Sequence, residues 1–198
     1  MDRLLRGWWR LLVLICKIER GAGTFLVALI VVTITVQVIT RYVWGWPIVW
    51  VEELATYAFL WAVFLGASIG LKEIRHIRIE TFVSRLPARA RAIGLSLIYV
   101  VVGATCLLVG VYSIDIMSIE SRSQTMSLPF NVGRHWFYSV PLAVGLFSMV
   151  GTAAYFILAY ATLALTGRPV DAETMVAEQR ARDFEEGEKE VRKVEGAF

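Results

Sequence analysis

Charge is what most of this 198-residue sequence lacks: 19% of its residues are charged and 57% are hydrophobic. Four stretches, residues 21–40, 54–71, 92–114 and 136–167, contain no Asp, Glu, Lys, Arg or His at all. A soluble domain of this size does not carry a mean hydropathy of +0.61, so an ordinary cytosolic enzyme is excluded. Cysteine is nearly absent too. Cys16 and Cys106 are placed before the first uncharged stretch and within the third, so they are expected too far apart to bridge and are read as apolar packing residues. Nucleophile-elbow, phosphate-loop and zinc-protease patterns are missing, and neither cysteine has a base beside it, so no catalytic residue is expected.

What is present is length for crossing a bilayer. About 20 residues at about 1.5 Å each match the roughly 30 Å hydrocarbon layer, and each stretch meets that requirement. The fold expected is an all-α membrane protein of four transmembrane helices, spanning about 21–40, 50–71, 92–114 and 137–166. No leader is expected to be cleaved, because the first apolar stretch is too long for a signal peptide and no small-residue site follows it.

The pI near 9.0 does not point to nucleic acid, because every Lys and Arg lies outside the four uncharged stretches. Five precede the first span, six lie between the second and third, and six follow the fourth; only Arg41, Arg122 and Arg134 lie in the other two connections. Seventeen against three is the asymmetry of the positive-inside rule, so both termini are expected in the cytoplasm. Tryptophan fits this placement, with Trp8 and Trp9 at the inner interface and Trp44, Trp46, Trp50 and Trp136 at the outer. Trp61 alone is expected mid-span.

Residues 1–20 are expected to form an interfacial amphipathic helix. At 100° per residue, Arg3, Arg6, Arg10 and Lys17 share one arc, while Leu4, Leu5, Trp8, Leu11, Leu12, Ile15 and Ile18 occupy the opposite one. That pattern suits anionic inner-leaflet lipid; the alternative is a cytoplasmic extension of span one. Residues 168–198 form a charged cytoplasmic tail with six Lys or Arg against nine Asp or Glu. Glu178/Arg182, Glu185/Lys189 and Glu188/Arg192 are oriented i,i+4 pairs, consistent with a solvated helix or with disorder.

The missing charge also bears on mechanism. A pump or coupled carrier needs an ionisable group or unwound carbonyls near the midplane, and these spans offer neither, so the chain alone is not expected to couple an ion. His76, Glu80 and His135 are the sole hint of a metal site, and the topology puts His135 across the membrane from the other two, so no metal and no cofactor are expected. Helix association has better support: Gly66 and Gly70 form a G-x-x-x-G, and Gly103 and Gly110 lie seven apart, spacings that let backbones approach inside the bundle or against a partner.

The stretch RYVWGWPIVWVEELATYAFLWAVFLGASIGLKEIRHIRIETFVSRLP, Arg41 to Pro87, and the later SLPFNVGRHWFYSVPLAVG carry a resemblance. Arg41, the Glu52–Glu53–Leu54 run, Trp61, Phe64 to Ala67, His76, Ile77 and Leu86–Pro87, with Leu128, Pro129 and Pro141, resemble the small membrane subunit of tripartite ATP-independent periplasmic (TRAP) transporters, the DctQ family. The resemblance implies a non-catalytic scaffold in the bacterial inner membrane, beside a large membrane subunit that holds the substrate and sodium sites. It also implies a periplasmic substrate-binding protein and organic-acid uptake of the dicarboxylate or sialic acid class. Candidate partner contacts on this reading are Arg41, Glu52, Glu53, Gly66, Gly70, His76, Arg78 and Glu80, with membrane lipid as a further partner. An anchoring or assembly subunit of another inner-membrane complex is the alternative.

Overall fold

In the computed structural model, residues 2–73, 87–125 and 131–166 are described, together with positions 181, 184, 185, 188 and 192 of the tail. Four long helices account for nearly all of them: α1 (Asp2–Val43), α2 (Val49–Lys72), α3 (Ala88–Glu120) and α4 (Ser139–Thr166). Each is long and apolar enough to cross a membrane.

Helix α1 is unbroken over 42 residues, about 63 Å. The amphipathic segment and the first span are therefore one element, with no boundary at residue 20. The segment's apolar arc divides between two environments. Leu5 and Leu12 are buried in a cluster with Leu71, Leu95, Tyr99, Tyr155 and Phe156, while Leu11 and Ile18 are exposed. Protein packing and outward exposure thus share a stripe that periodicity alone assigns to one surface.

The α1–α2 turn is closed by Gly45, whose φ of 69° is the left-handed conformation glycine adopts at low cost. The Trp44 and Trp46 amides donate to the Thr40 carbonyl, both at 3.2 Å, which satisfies a carbonyl at the end of α1. Pro47 precedes α2 by two residues. Between α3 and α4 the chain is closed by an isolated bridge, Gln124 to Gly133, and a short 3-10 turn, Arg134–Trp136.

The helices stand as an open row in the order α1, α2, α4, α3, with α2–α4 contact joining two hairpins. The hairpins are staggered. Tyr57 stacks on Phe137 at 4.0 Å and the Trp61 indole N–H donates to the Trp136 carbonyl at 3.2 Å. The start of α4 therefore lies level with the third turn of α2, roughly 12–18 Å below its first residue. Trp61, expected mid-span, shares its level along the row with Trp136, expected at the outer interface; this depends on how the two hairpins slide against each other, which sequence does not specify. Beyond the end of α2, α1 leans onto α4 instead, with Trp9 5.4 Å from Tyr155.

Candidate functional site

Exposure along α2 follows a helical stripe. Val49, Glu52, Thr56, Phe59, Val63 and Gly66 are exposed, while Val51, Ala55, Tyr57, Ala58, Leu65 and Ser68 are buried. Because α2 is flanked by α1 on one side and α4 on the other, this stripe points out of the row. Nothing lies within 4 Å of a Cβ built on Gly66, so this glycine is not used for packing inside the chain. Gly70, one turn on, is half-buried. By contrast, a Cβ added at Gly103 would meet the Ala153 Cβ at 3.2 Å, and one at Gly110 would meet Leu146 and Phe147, so these two serve the α3–α4 contact.

The paired carboxylates of α2 point differently. Glu52 is exposed at the first turn, where the positive end of the helix favours an anion. Glu53 is half-buried and accepts from the Tyr57 hydroxyl. Tyr57 in turn lies edge-on to Tyr138, and the Arg134 guanidinium sits 5.2 Å over the Tyr138 ring. Glu53 is thereby held against the 3-10 turn through an aromatic stack, while Glu52 faces outward. Arg41 is exposed at the last turn of α1, 6.0 Å from the Tyr42 ring. His76, Arg78 and Glu80 lie outside the described residues.

The aromatic anchors divide as well. Trp44 and Trp46 are 70% and 79% exposed on the α1–α2 turn, and with Trp50, Thr40 and Ile48 they line an open apolar groove of about 640 Å³. Trp136 is exposed, whereas Trp8 and Trp9 pack partly against the core. In span one the threonines bond back to their own helix, Thr33 to the Leu29 carbonyl and Thr35 to that of Val31, each at 2.7 Å. Gln37 instead accepts from the Ile48 amide at 3.1 Å, capping the entry to α2.

A polar cluster that sequence reasoning missed joins α1, α2 and α4. Lys72 and Glu19 are buried and paired at 2.6 Å, with Ser68 and Ser148 bonded to both. Beside them Arg20 pairs with Glu73 at 2.6 Å. The available signal is that Lys72 directly follows one uncharged stretch and Glu19 lies two residues before another, with Ser68 one turn before Lys72. Charge counting places Lys72 in the basic asymmetry and does not pair it with an acid 53 residues away.

Comparison with known proteins adds the family. The model of the "Tripartite ATP-independent periplasmic transporters, DctQ component" matches residues 30–163, more than half of the chain. The sialic acid TRAP transporter small permease protein SiaQ of Vibrio cholerae is 33% identical over 78 residues, 39% of this chain and 45% of that protein. The C4-dicarboxylate TRAP transporter small permease protein DctQ of the same organism is 35% identical over 72 residues, 36% of this chain and 29% of its own length. The isethionate TRAP transporter permease protein DctMQ of Oleidesulfovibrio alaskensis is 26% identical over 133 residues, 61% of this chain and 20% of that protein. The matched stretches thus cover less than half of each relative's length. The matched region runs from mid-α1 almost to the end of α4 and takes in the outward α2 stripe; this four-helix chain belongs to the DctQ component family of TRAP transporters, whose members are transporter subunits and not enzymes.

Proposed function

We propose that this chain is the scaffold subunit of a sodium-driven secondary transporter in the bacterial inner membrane. On this reading it pairs with a large membrane subunit carrying the transport and sodium sites, and a periplasmic protein delivers an organic acid of the dicarboxylate or sialic acid class. The observation that carries the reading is the outward α2 stripe in an open row: Glu52, Thr56, Phe59, Val63 and Gly66 are left uncovered by the chain's own helices. A backbone exposed at Gly66 lets a second helix approach closely, which is where association in lipid gains most of its packing energy. The uncharged interiors of the spans support the division of labour, since ion and substrate sites need polar groups at membrane depth.

On this reading both termini lie in the cytoplasm, which an even number of crossings and the distribution of Lys and Arg support. Arg41, Glu52 and the exposed tryptophans then face the periplasm, and the exposed leucines of α1, with Arg6, Arg10 and Lys17, meet inner-leaflet lipid. His76, Arg78 and Glu80 are proposed as contacts on the cytoplasmic side. The test is co-purification: with the chain tagged at its C-terminus, Gly66→Leu is expected to reduce recovery of the large subunit severely while the chain's own melting temperature is unchanged. Full recovery of the partner with Gly66→Leu would remove α2 as the interface.

A further inference from the structure

Nothing in the transporter reading uses the buried charges at the junction of α1, α2 and α4. Glu19 is 5% exposed and Lys72 4%, a costly placement unless every polar group is matched. Here every group is matched. The three N–H donors of the Lys72 ammonium meet three acceptors: Glu19 Oε2 at 2.6 Å, Ser148 Oγ at 2.7 Å and Ser68 Oγ at 2.9 Å. Glu19 Oε1 accepts from the Ser148 and Ser68 hydroxyls, at 2.7 and 3.1 Å. Each serine therefore accepts from the lysine and donates to the carboxylate, and the circuit closes without a donor or acceptor directed at a ligand.

A closed circuit of this kind is sensitive to position. On the N-terminal side α1 packs through apolar contacts, Leu5 and Leu12 against Leu71, Tyr155 and Phe156, and apolar faces repack at modest cost when a helix slides; the adjacent Arg20–Glu73 pair, with the Arg20 side chain 41% exposed, keeps access to water if it parts and so resists sliding far less than a buried pair. Sliding α1 by one turn, about 5.4 Å, would instead leave a carboxylate and an ammonium buried and unpaired. We infer that Glu19, Ser68, Lys72 and Ser148 form a register lock that selects one axial position of α1 against α2 and α4. This is the role that an isolated buried polar group plays in fixing coiled-coil register. The site lies where α2 ends and α1 crosses to α4, so it also fixes the stagger of the two hairpins. Lys72 in the last turn of α2 further suits the negative end of that helix.

The experiment reads register directly, in the full chain with Cys16 and Cys106 replaced by Ala. A cysteine at position 155 is bridged by a short bifunctional thiol reagent to a cysteine at position 9, whose native ring centroid lies 5.4 Å from that of Tyr155. In a parallel chain the second cysteine is at position 13, one turn further along α1. With the lock intact, the 9–155 bridge is expected to dominate. E19Q and K72M each break the pair and are expected to lower the melting temperature by about 10 °C and to abolish the preference for position 9. Should either single variant fail to fold, E19L/K72L decides. Its apolar pair is expected to restore the melting temperature while bridging at positions 9 and 13 becomes comparable. An E19L/K72L chain that keeps the preference for position 9 overturns the lock, as do single variants that melt and bridge like the parent.

Discussion

Gly145 shows how little space separates α2 and α4. A Cβ there would meet the Phe64 carbonyl oxygen at 2.9 Å and the Phe64 Cβ at 3.0 Å, contacts that require the helices to move apart. Gly145→Ala is expected to cost about 1–3 kcal/mol and to lower the melting temperature by about 5 °C in a thermal scan. Gly66, in the same pair of hairpins, has open space, so its substitution acts on association and not on the fold. Sequence spacing singled out Gly66 and passed over Gly145, because a G-x-x-x-G pattern shows that close approach is available without showing where it is used. A second prediction concerns Glu53. Tyr57→Phe keeps the stack on Phe137 but removes the hydroxyl donated to Glu53, and is expected to lower stability by about 1 kcal/mol, measured by thermal unfolding in detergent.

Among the elements, the α1–α2 hairpin carries polar ties at two levels. At one end Gln37 accepts from the Ile48 amide; at the other Glu19 pairs with Lys72. Eighteen residues of α1 separate them, about 27 Å, close to the roughly 30 Å of hydrocarbon in a bilayer. Most of the uncharged stretch, residues 21–36, is thereby bracketed by the groups that tie its helix to α2. Gln37→Leu leaves the Ile48 amide without its acceptor, and faster hydrogen exchange at Ile48 and the first turn of α2 is the expected outcome. Uncharged apolar length alone located all four helices long enough to span, because it is a property of each segment by itself. The sequence left the continuity of α1 open between a separate surface helix and an extension of span one, since Gly21 and Gly23 mark a composition change that the helix passes through.

For the whole molecule, the open row and its stagger together set an orientation. Gly103, near the middle of the third uncharged stretch, packs on Ala153, while the middle of the first stretch lies far above the level of Ser148 and Glu19. Placing both stretches in one hydrocarbon layer requires the row to lie inclined, by roughly 40° if adjacent axes are about 9 Å apart. Depth-dependent quenching of single spin labels at Ile30 and Gly103 is expected to place both near the bilayer centre; an upright row would put one at an interface. Topology is checked separately. In intact cells a membrane-impermeant thiol reagent is expected to label cysteine at Trp46, and to label cysteine at Arg10 only after permeabilisation.

The sequence by itself determined that four segments are long and apolar enough to cross a membrane, and it determined the family, because each is written in local composition or in a contiguous motif. Tertiary structure alone decided which glycines pack and which stay open, that Trp61 and Trp136 share a level, and that Glu19 meets Lys72 across 53 residues of chain. These depend on the relative height of helices in a row. Apolar faces leave that height weakly specified, and a few polar groups with one satisfactory arrangement fix it.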